Sequence, residues 1–163
     1  MTWQFTPYAV PLFVGAALML GIGLFSWQRR AVPSAAILFL LSLAAIFYAV
    51  GYAFEIGSLT TDQVLFWLTV QYIGITPAST LLLALALAHT GRHRFLTPFT
   101  WLLLLIMPAT TLIFAWTNEL HELIWRGVTL DRSAGFTRTI FTPGAWYWVS
   151  ASYFLLLLAA AII

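Results

Sequence analysis

Apolar residues in this chain neither alternate nor fall on one narrow stripe. They gather in five nearly unbroken runs, over about 7–27, 35–54, 63–89, 98–116 and 144–163, separated by polar or turn-forming residues. At about 1.5 Å of rise per residue, ~20 apolar residues cross a hydrocarbon layer ~30 Å thick, so each run predicts a transmembrane helix. The expected fold class is an all-α membrane protein, a polytopic bundle of five helices forming a single transmembrane domain over residues 1–163.

The punctuation between the runs is helix-end chemistry. Thr6-Pro7, Thr97-Pro98 and Thr142-Pro143 read as a cap followed by a first helical residue, and Ser34 reads as the cap after Ala31-Val32-Pro33. Thr60 with Gln63 has capping-box spacing, and Gly91 after His89-Thr90 is placed to close the third helix. Pro77 and Pro108 lie inside runs, where each frees a backbone carbonyl and predicts a kink. Thr110 and Thr111 stand ready to re-satisfy freed groups. The one long connection is 117–142. It opens Asn118-Glu119-Leu120-His121-Glu122-Leu123-Ile124-Trp125, whose apolar positions 120, 123 and 124 suit a short interfacial helix. Beyond it, Val128 to Leu130 and Phe136 to Phe141 alternate weakly around Asp131 to Gly135, a β-hairpin pattern.

Composition narrows the function classes. Hydrophobic residues make up 62 % and charged residues 7 %, against the ~25 % charged of soluble domains. So few charges cannot cover a soluble fold. With seven basic residues, all arginine, and no basic stripe outside two membrane-flanking turns, nucleic acid is not an expected partner. Absence of cysteine removes cysteine metal sites. The first run lacks the basic flank and cleavage site of a signal peptide and is expected to be retained. Arg29, Arg30, Arg92 and Arg94 follow the first and third helices, whereas the second turn carries Glu55 and Asp62. This asymmetry predicts the N-terminus and the long loop outside. Trp3, Tyr52, Trp116, Trp146 and Trp148 group at one interface, Trp27 and Trp101 at the other.

Polar groups inside or at the rim of the runs are the candidate site. Gln71 lies eight residues past Gln63, about 12 Å into the apolar layer, on one face with Trp67, Gly74 and Ala78. Its functional reading is a group lining a ligand cavity; its structural one is interhelical glue worth roughly 1 kcal/mol. Tyr48, Tyr52 and Glu55 form a polar-tipped stripe, and Asn118 and His121 open the loop above it. The ligand-binding candidates are therefore Tyr52, Glu55, Gln71, Asn118 and His121, in a mostly aromatic setting suited to an uncharged or amphipathic small molecule. Glu119, His121 and Glu122 have ligand chemistry, but in a solvated loop such a group is more often surface charge than a metal site. His89 and His93 flank the basic turn, where headgroups are the expected contact. No catalytic motif and no cofactor fingerprint occurs.

Taken in order, Trp27 with the arginines after it, Tyr52-Ala53-Phe54-Glu55, Gln71-Tyr72 with Pro77, Ala88-His89-Thr90-Gly91, Pro108, Asn118-Glu119-Leu120-His121 and Pro143-Gly144-Ala145-Trp146-Tyr147-Trp148 span nearly the whole sequence. Together they resemble the N-terminal seven-helix sensor region of bacterial histidine kinases. The resemblance implies a multi-pass protein of the bacterial cytoplasmic membrane that receives a small-molecule or membrane-derived signal. It would pass that signal to a cytoplasmic output domain, a histidine kinase or a diguanylate cyclase, and a homodimer is compatible with it. The chain departs from the pattern in having five predicted helices and no output domain, and in carrying His89 where the family has an aromatic. Because the run from Phe154 ends at Ile163 without an anchoring flank, the gene is expected to continue. Two other classes remain: a small transporter or channel subunit, which would favour a charge near the midplane, and a ligand-free membrane scaffold.

Overall fold

A computed structural model describes residues 4–133 and 136–162. Trp3 of the aromatic level, Gly135 of the loop and the terminal Ile163 lie outside the described residues. The elements are α1 (Ala9–Gln28), α2 (Pro33–Ile56), α3 (Thr61–His89), α4 (Pro98–Trp116), a single-turn α5 (Asn118–His121), β1 (Trp125–Asp131), β2 (Arg138–Pro143) and α6 (Ala145–Ile162), with a 3-10 turn at His93–Phe95. α1, α2, α3, α4 and α6 are each long and apolar enough to cross a membrane, so the chain is a multi-pass helical membrane protein.

α3 is the hub. It packs against α2, α4 and α6, while α1 lies on the far side of α2. Contacts between helices use small and polar residues, and large apolar side chains such as Leu18, Phe99, Leu102 and Leu156 face outward. That is the arrangement expected where lipid is the solvent and close backbone approach drives association. α2 and α3 meet most tightly at two glycines. A methyl group added at Gly74 would lie 2.1 Å from the Ala44 carbonyl oxygen, and one at Gly51 would lie 2.7 Å from Gln71 Cγ.

Several helix ends follow the sequence. Thr60 Oγ1 accepts from the Gln63 N–H, and Thr97 Oγ1 from the Thr100 N–H. Gly91, at φ 73°, closes α3: its N–H reaches the Ala88 carbonyl and the Arg92 N–H the Leu87 carbonyl, the paired bonds of a Schellman ending.

Other ends differ. α1 begins at Ala9 and not at Pro7, after a turn in which Ala9 N–H donates to the Thr6 carbonyl, so Thr6 does not cap with its side chain. Val32 replaces Ser34 as the cap of α2, because the residue before a proline is driven extended (ψ 123°) and Pro33 then takes the first helical position. The interfacial helix is one turn only. It stops at Glu122, in the left-handed region at φ 52°, and the chain enters β1. Pro143 ends β2 rather than opening a helix, and α6 waits until Ala145.

The hairpin is real, antiparallel, and longer toward its base than the alternation indicated, pairing Trp125 with Pro143 and Asp131 with Arg138. In its turn, the Ser133 N–H donates to Asp131 Oδ1 at 2.9 Å and holds that carboxyl below its usual range. Its base supplies the start of α6: Gly144 and Trp146 N–H groups donate to the Ile124 and Leu123 carbonyls at 2.8 and 2.9 Å.

The glycine crossing yields a clear contrast. Gly74→Ala should lower the thermal unfolding midpoint in detergent, since overpacking costs about 1–3 kcal/mol. Gly15→Ala, with nothing within 4 Å of the new methyl, should leave the midpoint unchanged or raise it, alanine being the better helix former. Equal effects of the two would contradict the crossing.

Candidate functional site

The polar candidates lie at the end of the bundle that holds the N-terminal segment, the α2–α3 turn and the hairpin. Gln4 N–H donates to the Gly57 carbonyl there, and Thr137 N–H to the Ile56 carbonyl, both at 2.9 Å. Glu55 and Gln71 are 5 % and 4 % exposed, and their side chains meet. Helical side chains lean toward the N-terminus of their own helix. In antiparallel α2 and α3 this aims Glu55 inward from the rim and Gln71 outward from mid-helix. Gln71 Nε2 donates to Glu55 Oε2 and, at 3.4 Å, to the Trp67 carbonyl. Thr139 Oγ1, on β2, donates to Glu55 Oε1. One carboxyl group thus joins two transmembrane helices to the hairpin.

Further bonds hold the hairpin to the same turn. Thr137 Oγ1 donates to the Ser58 carbonyl at 2.7 Å, and an Arg132 guanidinium nitrogen donates to the Leu59 carbonyl. Thr137 and Thr139 are two apart, so the strand turns both toward the bundle. Tyr52 stacks on Tyr48, with ring centroids 6.1 Å apart and planes 15° from parallel, and Phe54 stacks on Trp67 at 4.5 Å. These ring pairs lie at the same ends of α2 and α3 as the carboxyl group.

Asn118 and His121 are not brought to that carboxyl group. Asn118, 5 % exposed, knits the entry into β1: Oδ1 accepts from Ile124 and Trp125 N–H groups at 2.9 and 3.3 Å, and Nδ2 donates to the Trp125 carbonyl at 2.8 Å. His121 Nδ1 accepts from the Leu123 N–H at 3.1 Å, which leaves Nε2 to donate to Thr117 Oγ1 at 3.0 Å. Among the described residues, Glu119, His121 and Glu122 do not converge as a metal site. His89 and His93 lie at the opposite end, by the arginine-bearing turn.

A cavity of about 470 Å³ opens between α3 and α4 beneath this loop, lined among others by Asp62, Leu65, Thr69, Asn118, Glu119 and Trp125. It lies across α3 from the Glu55–Gln71 pair, so the candidates divide between two flanks of one helix. Sequence reasoning missed Thr139, Thr137 and Gly51. The first two are signalled by period-two threonines in a strand next to a membrane mouth, and Gly51 by its place one turn before Glu55.

A family model described as the N-terminal 7TM region of histidine kinase matches residues 11–163. No curated protein and no solved structure matches.

Removing one donor from a buried acceptor costs about 1–3 kcal/mol, whereas replacing a whole hydrogen-bonded group by apolar side chains can be nearly neutral. Gln71→Leu and Thr139→Val should each destabilise the chain in a denaturant titration. Combined with Glu55→Leu, they should cost clearly less than the sum of the three single changes. Additive losses would show that the three side chains do not act as a unit.

Proposed function

The chain belongs to the family of N-terminal 7TM regions of histidine kinases, and from that premise we propose that it is the input domain of a sensor in the bacterial cytoplasmic membrane. Its N-terminus and hairpin face outward, and it passes an extracytoplasmic or membrane-borne signal to a cytoplasmic histidine kinase or diguanylate cyclase. The observation that carries this reading is the Glu55 carboxyl group, where a loop element and two membrane helices share one buried polar junction.

In this reading the hairpin is the moving part. An amphipathic small molecule in the cavity beside Asn118 and Glu119 presses on Trp125 at the base of β1. His121 and Asn118 keep that base shaped, and the hairpin transmits the displacement through Thr139 to Glu55 and Gln71. Tyr52 supplies aromatic surface next to the junction. Binding biases two bundle arrangements only by its difference in affinity between them. Across the short turns, Arg29, Arg30, Arg92 and Arg94 lie at one end and no arginine lies in the α2–α3 turn at the other, which supports the orientation. The hairpin adds Arg126, Arg132 and Arg138 at the outer end.

Two measurements test this. With no native cysteine, single cysteines at Ser133 and Gly91 report topology in intact cells. Ser133→Cys should react with an impermeant thiol reagent and Gly91→Cys should not; the reverse pattern inverts the proposed orientation. In the full-length protein, Thr139→Val and Glu55→Gln should alter basal output activity in isolated membranes while the amount of folded protein is retained. Unchanged activity in both would remove the junction from the signalling route.

A further inference from the structure

A second cavity lies at mid-depth where α3, α4 and α6 meet, with a volume of about 310 Å³. Tyr72, Thr76, Ser79, Met107, Thr111 and Tyr153 contribute to its wall, and no charged side chain does. Several of the polar atoms around it already have partners. Pro108 has no N–H to offer the Leu104 carbonyl, and that freed oxygen accepts from Tyr153 Oη at 2.8 Å and from Thr80 Oγ1 at 3.2 Å. Thr76 donates to the Tyr72 carbonyl, Ser150 to the Tyr147 carbonyl, and Thr111 accepts from Trp146 Nε1.

Among the fully buried hydroxyls of the wall, that of Ser79, a residue 1 % exposed, has none. Hydroxyl side chains in helices commonly bond the carbonyl four residues back, as Ser42, Thr69, Thr76 and Thr110 do in this chain. Leaving Ser79 unpaired in an apolar setting is unfavourable unless something else meets it.

We propose that this cavity binds an uncharged, largely apolar molecule with a hydrogen-bonding oxygen, a hydroxyl or a carbonyl, which arrives through the bilayer and pairs with Ser79 Oγ as that side chain turns from its sealed position into the cavity. The absence of any lining charge argues against an ionic ligand, and the unpaired Ser79 hydroxyl, with the phenols of Tyr72 and Tyr147 in the same wall, leaves room for few polar groups on it. A dry cavity of ~150 Å³ accommodates benzene. About twice that volume suits a fused bicyclic ring or an alcohol of about eight carbons. The inference stands on the cavity and the hydroxyl, and holds whether or not the hairpin is the signal-reading element.

The test is photolabelling of the chain in phosphatidylcholine nanodiscs with a diazirine-bearing octanol, compared with the matching diazirine-bearing octane. Adducts of the octanol should concentrate on cavity residues such as Tyr72, Met107 and Tyr153 and be displaced by plain octanol. Ser79→Ala should weaken that displacement about threefold to tenfold, the value of one hydrogen bond, while labelling by the hydrocarbon stays as it was. Ala151→Leu, which fills the cavity from α6 and keeps Ser79, should abolish labelling by both probes. Octanol binding equal in the wild type and Ser79→Ala would mean that the hydroxyl is met by water or ignored. Adducts spread evenly over lipid-facing residues would mean that the space holds only acyl chains. Either result overturns the site.

Discussion

Burying a carboxyl group at the rim of a hydrocarbon layer demands a donor for each of its oxygens, because an unmet acceptor there forgoes water and gains nothing. Glu55 meets this demand with one donor from α3 and one from the hairpin. The same requirement fixes the register of α2 on α3 and the seat of the hairpin on both. It works only because Gly51 and Gly74 remove the side chains that would hold the helices apart. A larger residue at either glycine would separate the backbones and lengthen the gap that Gln71 spans.

A second constraint comes from the prolines. Each one inside a helix leaves a carbonyl without its N–H, and lipid offers no replacement. At Pro108 the bundle supplies it, since Thr80 from α3 and Tyr153 from α6 both donate to Leu104. A local defect in α4 becomes the polar contact that joins three helices. Of the two neighbouring threonines, Thr110 bonds the Ile106 carbonyl and Thr111 serves Trp146, so neither fills the vacancy opened by the proline.

Legibility in the sequence tracked how local each constraint was. The five spans were readable because hydrocarbon thickness acts on every residue of a run, and the caps at Thr60 and Thr97 because a cap needs only its own helix. Val32 displaced Ser34 through the steric effect of a proline on its neighbour, a rule as local as capping and stronger. The interfacial helix was cut to one turn by bonds its periodicity could not reveal. Asn118 reaches forward to the backbone of Ile124 and Trp125, and His121 to that of Leu123, so the chain must turn at Glu122. Gln71 was visible as an amide too deep to stand alone, and Glu55 as the end of a tyrosine stripe. Thr139 was not, since 84 residues separate it from Glu55 and the alternation around it was weak. Pro143 resembled a helix start, but the chain passes so close to the Leu123 carbonyl that only Gly144 fits, and α6 begins after it.

The hairpin touches both halves of the bundle, and this decides what its movement would do. Through Thr137, Thr139 and Arg132 it holds the α2–α3 turn, while at its base Leu123 and Ile124 hold the first N–H groups of α6. The two attachments differ in kind. α2 and α3 are locked by backbone contact at the glycines. α6 packs on α3 and α4 through partly buried side chains such as Trp146 and Tyr147, and its polar ties are the base of the hairpin, the Trp146–Thr111 bond and Tyr153. A displacement of the hairpin would therefore reach both the α2–α3 turn and the start of α6. A molecule wedged beside Ser79 would act on α6 from within, because the cavity it occupies lies where α6 meets α3 and α4.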